Sequence, residues 1–182
     1  MLSITIAASK HDKAFWQAIK TTLENNFSVI YACERQLIVN GDKPEMIIAD
    51  IGSFDAIQTD ETIIIFKDKL NINIDSSSMH NVIAVVDSSN EKLMRFVAAT
   101  KLPAVTCGLS ARDTITLSSI SRDSAVISLQ RSVVCLDGTQ AEPQEIPVNI
   151  CSICDNFALM AIASIYILSG KTEYLSNIKI HE

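Results

Sequence analysis

Residues 82–108 read VIAVVDSSNEKLMRFVAATKLPAVTCG, and this stretch decides the fold class. It begins with Val82–Asp87, a continuous β-branched run of the kind found in strands that are buried on both faces of a parallel sheet. The next segment, Asn90–Thr100, has one apolar helical face, formed by Leu93, Met94, Val97 and Ala98. A second apolar run, Ala104–Gly108, follows it. The order strand, helix, strand predicts a βαβ unit with parallel strands.

The chain before this stretch also alternates strand patterns with a helix pattern. One helix is predicted over Lys10–Asn26, where apolar side chains recur at four-residue spacing, at Phe15, Ile19 and Leu23. The strands predicted around it are Ser3–Ala7, Val29–Ala32, Met46–Asp50 and Thr62–Phe66. Strands that alternate with helices predict an α/β fold with a mainly parallel, doubly wound sheet.

After Gly108 the sequence pattern changes to short β runs with little helix between them. The predicted strands are Thr114–Ile120, Ala125–Leu129, Ser132–Leu136 and Glu145–Val148, and the pair Asp137-Gly138 is a strong hairpin signal. A final helix, Asp155–Ser169, is expected to return to the sheet. We therefore expect a single domain over residues 1–182, composed of a parallel α/β part (1–110), an antiparallel β extension (111–150) and a returning helix (151–170).

The composition argues against several classes of protein. The 182 residues are 48% hydrophobic, which is enough for a folded domain with a sizeable core. A formal net charge of -6 argues against nucleic-acid binding, which normally requires a basic stripe. The longest apolar stretch, Phe157–Leu168, is about half of the ~20 residues needed to cross a bilayer. The start of the chain lacks the pattern of a secretory signal, so we expect a cytoplasmic protein that has no membrane partner.

The segment ITIAASKHDKAFWQAIKTTLENNF (residues 4–27) has the layout of a phosphate-binding strand, loop and helix, but it contains no glycine. In such loops glycines turn backbone N–H groups toward the phosphates, a lysine reaches the β and γ oxygens, and a hydroxyl binds Mg²⁺. The residues leave two interpretations open. Lys10 and Lys13 form a modified anion site at a helix N-terminus, or they belong to a solvated first turn of helix.

The order of elements resembles that of the central, ATP-binding domain of the Mur ligases, which add amino acids to the UDP-linked muramyl precursor of peptidoglycan. The resemblance rests on the phrases VVDSSNEKLM, VTCGLSARD and CDNFALMAIASIYILSG, which follow the family's order at about its spacings. The phrase ITIAASKHDKAFWQAIKTTL stands in the place of the family's phosphate loop, vTGTNGKTT, and PEMIIADIGSF stands in the place of its vlEvSSf strand. The resemblance covers about residues 3–170. It implies Mg-ATP as cofactor and an ancestral ATP-dependent carboxylate–amine ligase.

Residue by residue, Ser9–Ala14 stands where the family has Gly-Thr-Asn-Gly-Lys-Thr. Lys13 keeps the lysine, whereas Ser9 and Asp12 replace the glycines and Ala14 replaces the Mg²⁺-binding hydroxyl. A residue other than glycine that is forced to positive φ costs on the order of 1 kcal/mol, and Asp12 adds negative charge near the phosphates. The resemblance thus implies a degenerate phosphate loop whose remaining candidates are Ser9, Lys10 and Lys13.

Asp50 stands where the family has a metal-binding Glu at the end of a strand. The resemblance therefore implies Asp50 as a Mg²⁺ ligand, at the carboxyl edge of a parallel sheet where ligands usually bind. The alternative for Asp50 is a helix N-cap for the segment that follows it. The family's N-terminal and C-terminal domains are expected to be absent, which argues against the complete ligase reaction on this chain alone.

Five cysteines, an odd number in an apolar sequence, are expected to be mostly reduced and buried. Cys151 and Cys154 form a CxxC pair before the final helix, which would suit a redox motif or half of a zinc site. The sequence has no second CxxC and no His pair to complete such a site. Structural thiols are the alternative interpretation.

Together these features predict a standalone Mur-ligase-like protein with a degenerate phosphate loop, which is not a competent ATP-dependent ligase on its own. We expect a binding or scaffolding role, with a second copy or another protein as partner and a link to cell-wall precursor metabolism. One alternative is an ATP-dependent Mur-type ligase or nucleotide-binding subunit that acts with a partner protein. A third hypothesis is a redox or metal module built on Cys151 and Cys154.

Overall fold

The structure is a computed structural model, and it describes residues 1–7, 12–33, 36–51, 61–67, 82–150, 155–177 and 179–180. The chain forms two compact units, each assembled from two separate segments. The first unit contains residues 1–12 and 27–104, and the second contains residues 13–26 and 105–182.

The first unit is a sheet with one described helix. Its strands are β1 (Leu2–Ala7), β2 (Val29–Cys33), β3 (Gln36–Asn40), β4 (Met46–Ile51), β5 (Thr62–Phe66) and β6 (Val82–Asp87), and its helix is α2 (Glu91–Thr100). The strand order within this unit is β6-β5-β1-β4-β2-β3. All neighbours are parallel except β2 and β3, which pair antiparallel. The predicted α/β fold with a mainly parallel sheet is confirmed.

The core of the first unit follows from the continuous apolar runs. Every residue of β1 and of β5 is buried, as expected for central strands covered on both faces. A cluster of buried side chains joins the sheet to α2, and its members are Ala7, Ile64, Phe66, Val82, Ala84, Val86, Leu93 and Val97. Asn90 caps α2, since its side-chain oxygen accepts a hydrogen bond from Leu93 N at 3.3 Å. The helix is thereby held at the carboxyl end of β6.

The strand β3 was not predicted from the sequence. It pairs with β2 over its whole length, and Tyr31 lies opposite Ile38. Its apolar side chains are largely exposed: 71% for Leu37, 42% for Ile38 and 57% for Val39. The strand ends at Gly41, which has φ +93°, and a Cβ there would lie 2.3 Å from the Ser28 side-chain oxygen. Glycine is therefore required at this corner both for its φ and for the close approach of Ser28.

The second unit combines a sheet with antiparallel strands and two described α-helices. It contains α1 (Lys13–Glu24), β7 (Ala104–Cys107, whose first residue falls in the first unit), β8 (Ile115–Ile120), β9 (Ser124–Leu129), β10 (Val133–Val134), β11 (Gln140–Ala141), β12 (Gln144–Ile150), α3 (Asn156–Leu168), a 3₁₀ helix (Thr172–Asn177) and β13 (Lys179–Ile180). The strand order is β13-β12-β9-β8-β7, with antiparallel pairs β8–β9 and β9–β12 and parallel pairs β7–β8 and β12–β13. The strands β10 and β11 form a separate hairpin, in which Gly138 has φ +82°. The predicted antiparallel extension and the Asp-Gly turn are both present.

The helix α3 forms the core of the second unit, because Phe157–Leu168 is buried at every position. It contacts β8 and α1, so the predicted return of this helix to the sheet is confirmed. Phe157 stacks on Phe15 of α1, with ring centroids 5.8 Å apart and planes at 10°. Asp155 caps the helix by accepting a hydrogen bond from Phe157 N at 3.3 Å. Among the described residues, no helix is long and apolar enough to cross a membrane.

Candidate functional site

The parallel strands of the first unit end together at one edge of the sheet. Ala7, the last residue of β1, lies opposite Ile51 of β4 and Phe66 of β5. Phe66 in turn lies opposite Val86, the residue before the end of β6. The carboxyl ends of four neighbouring strands are thus aligned within about one residue. Such an edge is where open parallel sheets bind their ligands, so we take it as the candidate site.

An ion pair between Asp12 and Lys67 lies at this edge. Lys67 directly follows β5, and its backbone N–H donates to the carbonyl of Ala7 at 3.1 Å. Its Nζ donates to Asp12 Oδ2 at 2.5 Å, a short charge-assisted hydrogen bond. The side chain of Lys67 is 15% exposed and that of Asp12 is 38% exposed. A carboxylate therefore already lies against the ammonium group of Lys67 at the end of β1.

The backbone beneath this pair is held in place by packing. Ala7 and Phe66 are fully buried, and they belong to the cluster that joins the sheet to α2. The Phe66 ring meets Phe96 of α2 edge to face, with centroids 5.8 Å apart and planes at 67°. Residues that follow a strand fixed in this way have defined positions. Lys67 is therefore positioned by the core, and its side chain is largely buried at the sheet edge.

Asp50, the predicted metal ligand, lies near the carboxyl end of β4 and is half-buried. Its register partners are Ile6 on β1 and Cys33 on β2, so it lies on the same sheet edge as Lys67. The segment for which Asp50 was the alternative N-cap lies outside the described residues. Among the residues that the structure describes, no group of three or more His, Cys, Asp or Glu side chains is arranged to hold a metal ion.

The other predicted loop residues fall in different places. Ser9 and Lys10 lie outside the described residues. Lys13 is the first residue of α1 and is exposed, and Ala14 is exposed beside it in the first turn. Lys13 belongs to the second unit, whereas Asp12, Asp50 and Lys67 belong to the first. The helix was predicted to begin at Lys10, and it begins three residues later, at Lys13, since Asp12 is not helical.

Lys67 was not predicted from the sequence as a site residue. No motif marks it, because its partner Asp12 is 55 positions away in the chain. The signal that could have found it is its place directly after the buried run Thr62–Phe66, where a polar side chain reaches the carboxyl edge of a parallel sheet.

The cysteines give no second site within the described residues. Cys107 and Cys135 are buried, and Cys33 is exposed. The Cys107 sulfur lies 3.5 Å from the hydroxyl oxygen of Ser164, and the Cys135 thiol donates to the Ile167 carbonyl at 3.1 Å. Both buried thiols thus contact α3. The CxxC pair, Cys151 and Cys154, lies outside the described residues.

Solved structures with a similar fold include ligases of the Mur type. The chain matches MurF from Acinetobacter baumannii at a TM-score of 0.61 and 10% identity, over 100% of this chain and 46% of that one. It matches MurF ligase from Thermotoga maritima in complex with ADP at 0.55 and 12% identity, over 94% of this chain and 45% of that one. It also matches the UDP-N-acetylmuramate:L-alanyl-gamma-D-glutamyl-meso-diaminopimelate ligase from Neisseria meningitides at 0.53 and 11% identity, over 100% and 66%. No protein-family model and no curated protein matches the sequence.

These similarities define the fold and not the activity, because the identities are near 10%. The chain spans about half of the length of the MurF structures that it matches. Its fold resembles the central domain of the Mur ligases. The predicted resemblance is confirmed at the level of the fold.

Proposed function

We propose that this chain is a degenerate Mur-ligase-like domain that is not a competent ATP-dependent ligase on its own and that acts by binding or scaffolding. Its link to cell-wall precursors is part of the same proposal, and it rests on the muramate ligases among its fold neighbours. The observation that carries the proposal is the ion pair between Asp12 and Lys67 at the carboxyl edge of the sheet.

This ion pair argues against a triphosphate in the usual position. A phosphate loop attracts its ligand with unopposed positive charge, from a lysine and from the N–H groups of a helix N-terminus. Here Asp12, at the position of the family's second glycine, has its carboxylate 2.5 Å from the ammonium of Lys67. A phosphate approaching Lys67 would have to displace this carboxylate or accept its repulsion.

The residues around the loop do not fit Mg-ATP either. Ala14, in the first turn of α1, has no hydroxyl with which to bind Mg²⁺. Asp50, at the sheet edge, is one carbon shorter than the Glu that the family places there. The proposal therefore assigns no metal and no nucleotide to the chain as it stands, and no catalytic step to its residues.

Isothermal titration with Mg-ATP, and with ATP alone, tests this proposal. We expect no binding heat from the wild-type protein up to about 1 mM nucleotide, which corresponds to less than about 4 kcal/mol of binding free energy. A triple variant, Ser9→Gly with Asp12→Gly and Ala14→Thr, restores the family's residues at the three altered positions, and a gain of binding would locate the loss there. Micromolar binding by the wild-type protein would contradict the proposal.

One observation favours the alternative, a nucleotide-binding subunit that acts with a partner protein. Lys13 is exposed at the start of the 12-residue helix α1, where the helix dipole favours anions. The alternative requires binding that Lys13→Ala abolishes. Lys20→Ala is the matched control, because Lys20 lies two turns further along α1 and pairs with Glu24 at 3.9 Å. Equal binding by the two variants would remove the alternative.

A further inference from the structure

We propose that the exposed edge strand β3 pairs antiparallel with β3 of a second copy of this chain, about a two-fold axis at Ile38. The proposal goes beyond the role proposed above, because it names the partner and the surface. It does not depend on whether any nucleotide binds.

The strand β3 ends the sheet of the first unit, and β2 is its sheet neighbour. A strand with one neighbour directs the N–H and C=O groups of alternate residues away from the sheet, where another strand can pair with them. Natural edge strands usually prevent this with charged residues, proline or bulges. The strand QLIVN contains no charge and no proline, and its register with β2 is continuous. It has none of these safeguards.

The apolar side chains of β3 are uncovered as well. Leu37, Ile38 and Val39 are 71%, 42% and 57% exposed, although neighbouring residues of a strand point to opposite faces. Among the residues that the structure describes, nothing covers this strand along its outer edge, and side chains on both of its faces are exposed. A second β-strand is the partner that satisfies the backbone groups and covers side chains on both faces at once.

The order of residues in β3 makes this strand complementary to a second copy of itself. With a two-fold axis at Ile38, Leu37 of each chain lies opposite Val39 of the other, and Gln36 lies opposite Asn40. Apolar residues then lie opposite apolar residues in the three central pairs, and no charged residue lies in the five pairs. All five residues of β3 are used, whereas an axis at Leu37 or Val39 would pair three.

The hydrogen-bond pattern permits this register. Residues 37 and 39 are both odd-numbered, so both direct their backbone groups to the same side of the strand. If the two-fold axis passes through a residue, the backbone groups of one β3 that point away from β2 therefore lie opposite the corresponding groups of the other β3. An axis between two residues would pair outward groups with groups already bonded to β2, and no ladder would form. The two Ile38 Cα atoms would then be about 4.5 to 5.5 Å apart.

The first test measures association by sedimentation equilibrium over a range of protein concentrations, without nucleotide. A standard protein–protein interface buries at least about 1,200 Å² in total, and two five-residue strands bury less than that. The dimer is therefore expected to be weak, and its population should depend on the protein concentration. The double variant Leu37→Lys with Val39→Lys places lysine opposite lysine twice. The variant Leu37→Lys with Val39→Glu places lysine opposite glutamate twice. We expect the first to associate at least about tenfold more weakly than the second.

The second test is cross-linking in a Cys33→Ser background, because Cys33 is an exposed thiol. Ile38→Cys should form a disulfide-linked dimer under mild oxidation, since the expected Cα separation lies within the range for disulfides. Val134→Cys is the control, on an exposed valine of β10. Circular dichroism checks that all variants are folded.

A chain that remains monomeric up to about 1 mM would overturn the proposal. Equal association of the two charge variants, or equal cross-linking at positions 38 and 134, would also overturn it. If the chain is a monomer and β3 pairs with a strand of a different protein, that strand and not a second copy is the partner. This result would overturn the proposal too.

Discussion

Tyr166 lies at the centre of the contact between α1 and α3, and its hydroxyl makes the stability of the protein depend on pH. It donates to the Thr22 carbonyl at 3.2 Å and accepts from Asn26 Nδ2 at 2.9 Å. Burial raises the pKa of Tyr166 from 10.0 to about 12, because the phenolate would lose its hydration, and the hydrogen bond from Asn26 lowers it by less. The perturbation that we consider is Tyr166→Phe, which removes the ionisable group and keeps the ring.

The sign of the effect follows from the two pKa values. Between pH 10 and about 12 the unfolded chain loses the phenolic proton while the folded chain keeps it. The free energy of unfolding therefore falls as pH rises through this window. A shift of about two pKa units corresponds to about 2 to 3 kcal/mol, all of it present below pH 10 and lost by pH 12.

At pH 7 the variant should be less stable than the wild type by about 1 to 3 kcal/mol, because the buried Thr22 carbonyl and the Asn26 amide lose a partner. At pH 11.5 this difference should shrink to near zero or change sign. Urea unfolding at pH 7, 9, 10.5 and 11.5 measures both values, with Tyr174→Phe as a control at a surface tyrosine. A difference between wild type and Tyr166→Phe that stays constant from pH 9 to 11.5 would refute the reasoning.

Three further predictions concern stability, and thermal or urea unfolding checks each of them. Thr22→Val should stabilise the protein by about 1 kcal/mol, because the buried Thr22 hydroxyl has no hydrogen-bond partner among the residues that the structure describes; a loss of stability would contradict this. Asp155→Ala should cost about 1 kcal/mol through the lost N-cap of α3, and Asp155→Asn should restore most of it. Gly41→Ala should cost more than Gly138→Ala, since both glycines have positive φ but only the Cβ at Gly41 meets Ser28; equal costs would argue against the close approach.

The parallel strands could be predicted closely from the sequence. Thr62–Phe66 and Val82–Asp87 have the predicted bounds, and Met46–Ile51 is one residue longer than predicted. These strands are buried on both faces or nearly so, and a continuous β-branched run has few other stable placements. The final helix was equally clear, because Asp155 and Gly170 mark its two ends.

The strand β3 could not be predicted for a physical reason. The residues QLIVN do not alternate between apolar and polar side chains, and they do not lie in the core. The two residues before them, Glu34 and Arg35, are also not a typical hairpin turn sequence. What places it is pairing with β2, which is a tertiary contact. The periodicity of apolar residues in a sequence indicates which side chains are buried, and the side chains of this strand are exposed.

The candidate site was predictable only in part. Asp50 was placed at the carboxyl edge of the sheet by the end of an apolar run, and it lies there. The partner of Asp12 was not predictable, because the distance between Asp12 and Lys67 depends on β1 and β5 being neighbours in the sheet. Strand order is set by the packing of the whole unit, and a local pattern does not contain it.

The contact of α1 with α3 also has a consequence for synthesis at the ribosome. The hydrogen bonds from Tyr166 to Thr22 and from Asn26 to Tyr166 span 144 and 140 positions of the chain. The residues of α1 that contact α3 are therefore translated about 140 positions before the helix that covers them. At about 5 to 20 residues per second this interval lasts roughly 7 to 30 seconds. During this interval Phe15 of α1 lacks Phe157, the ring on which it stacks in the folded protein.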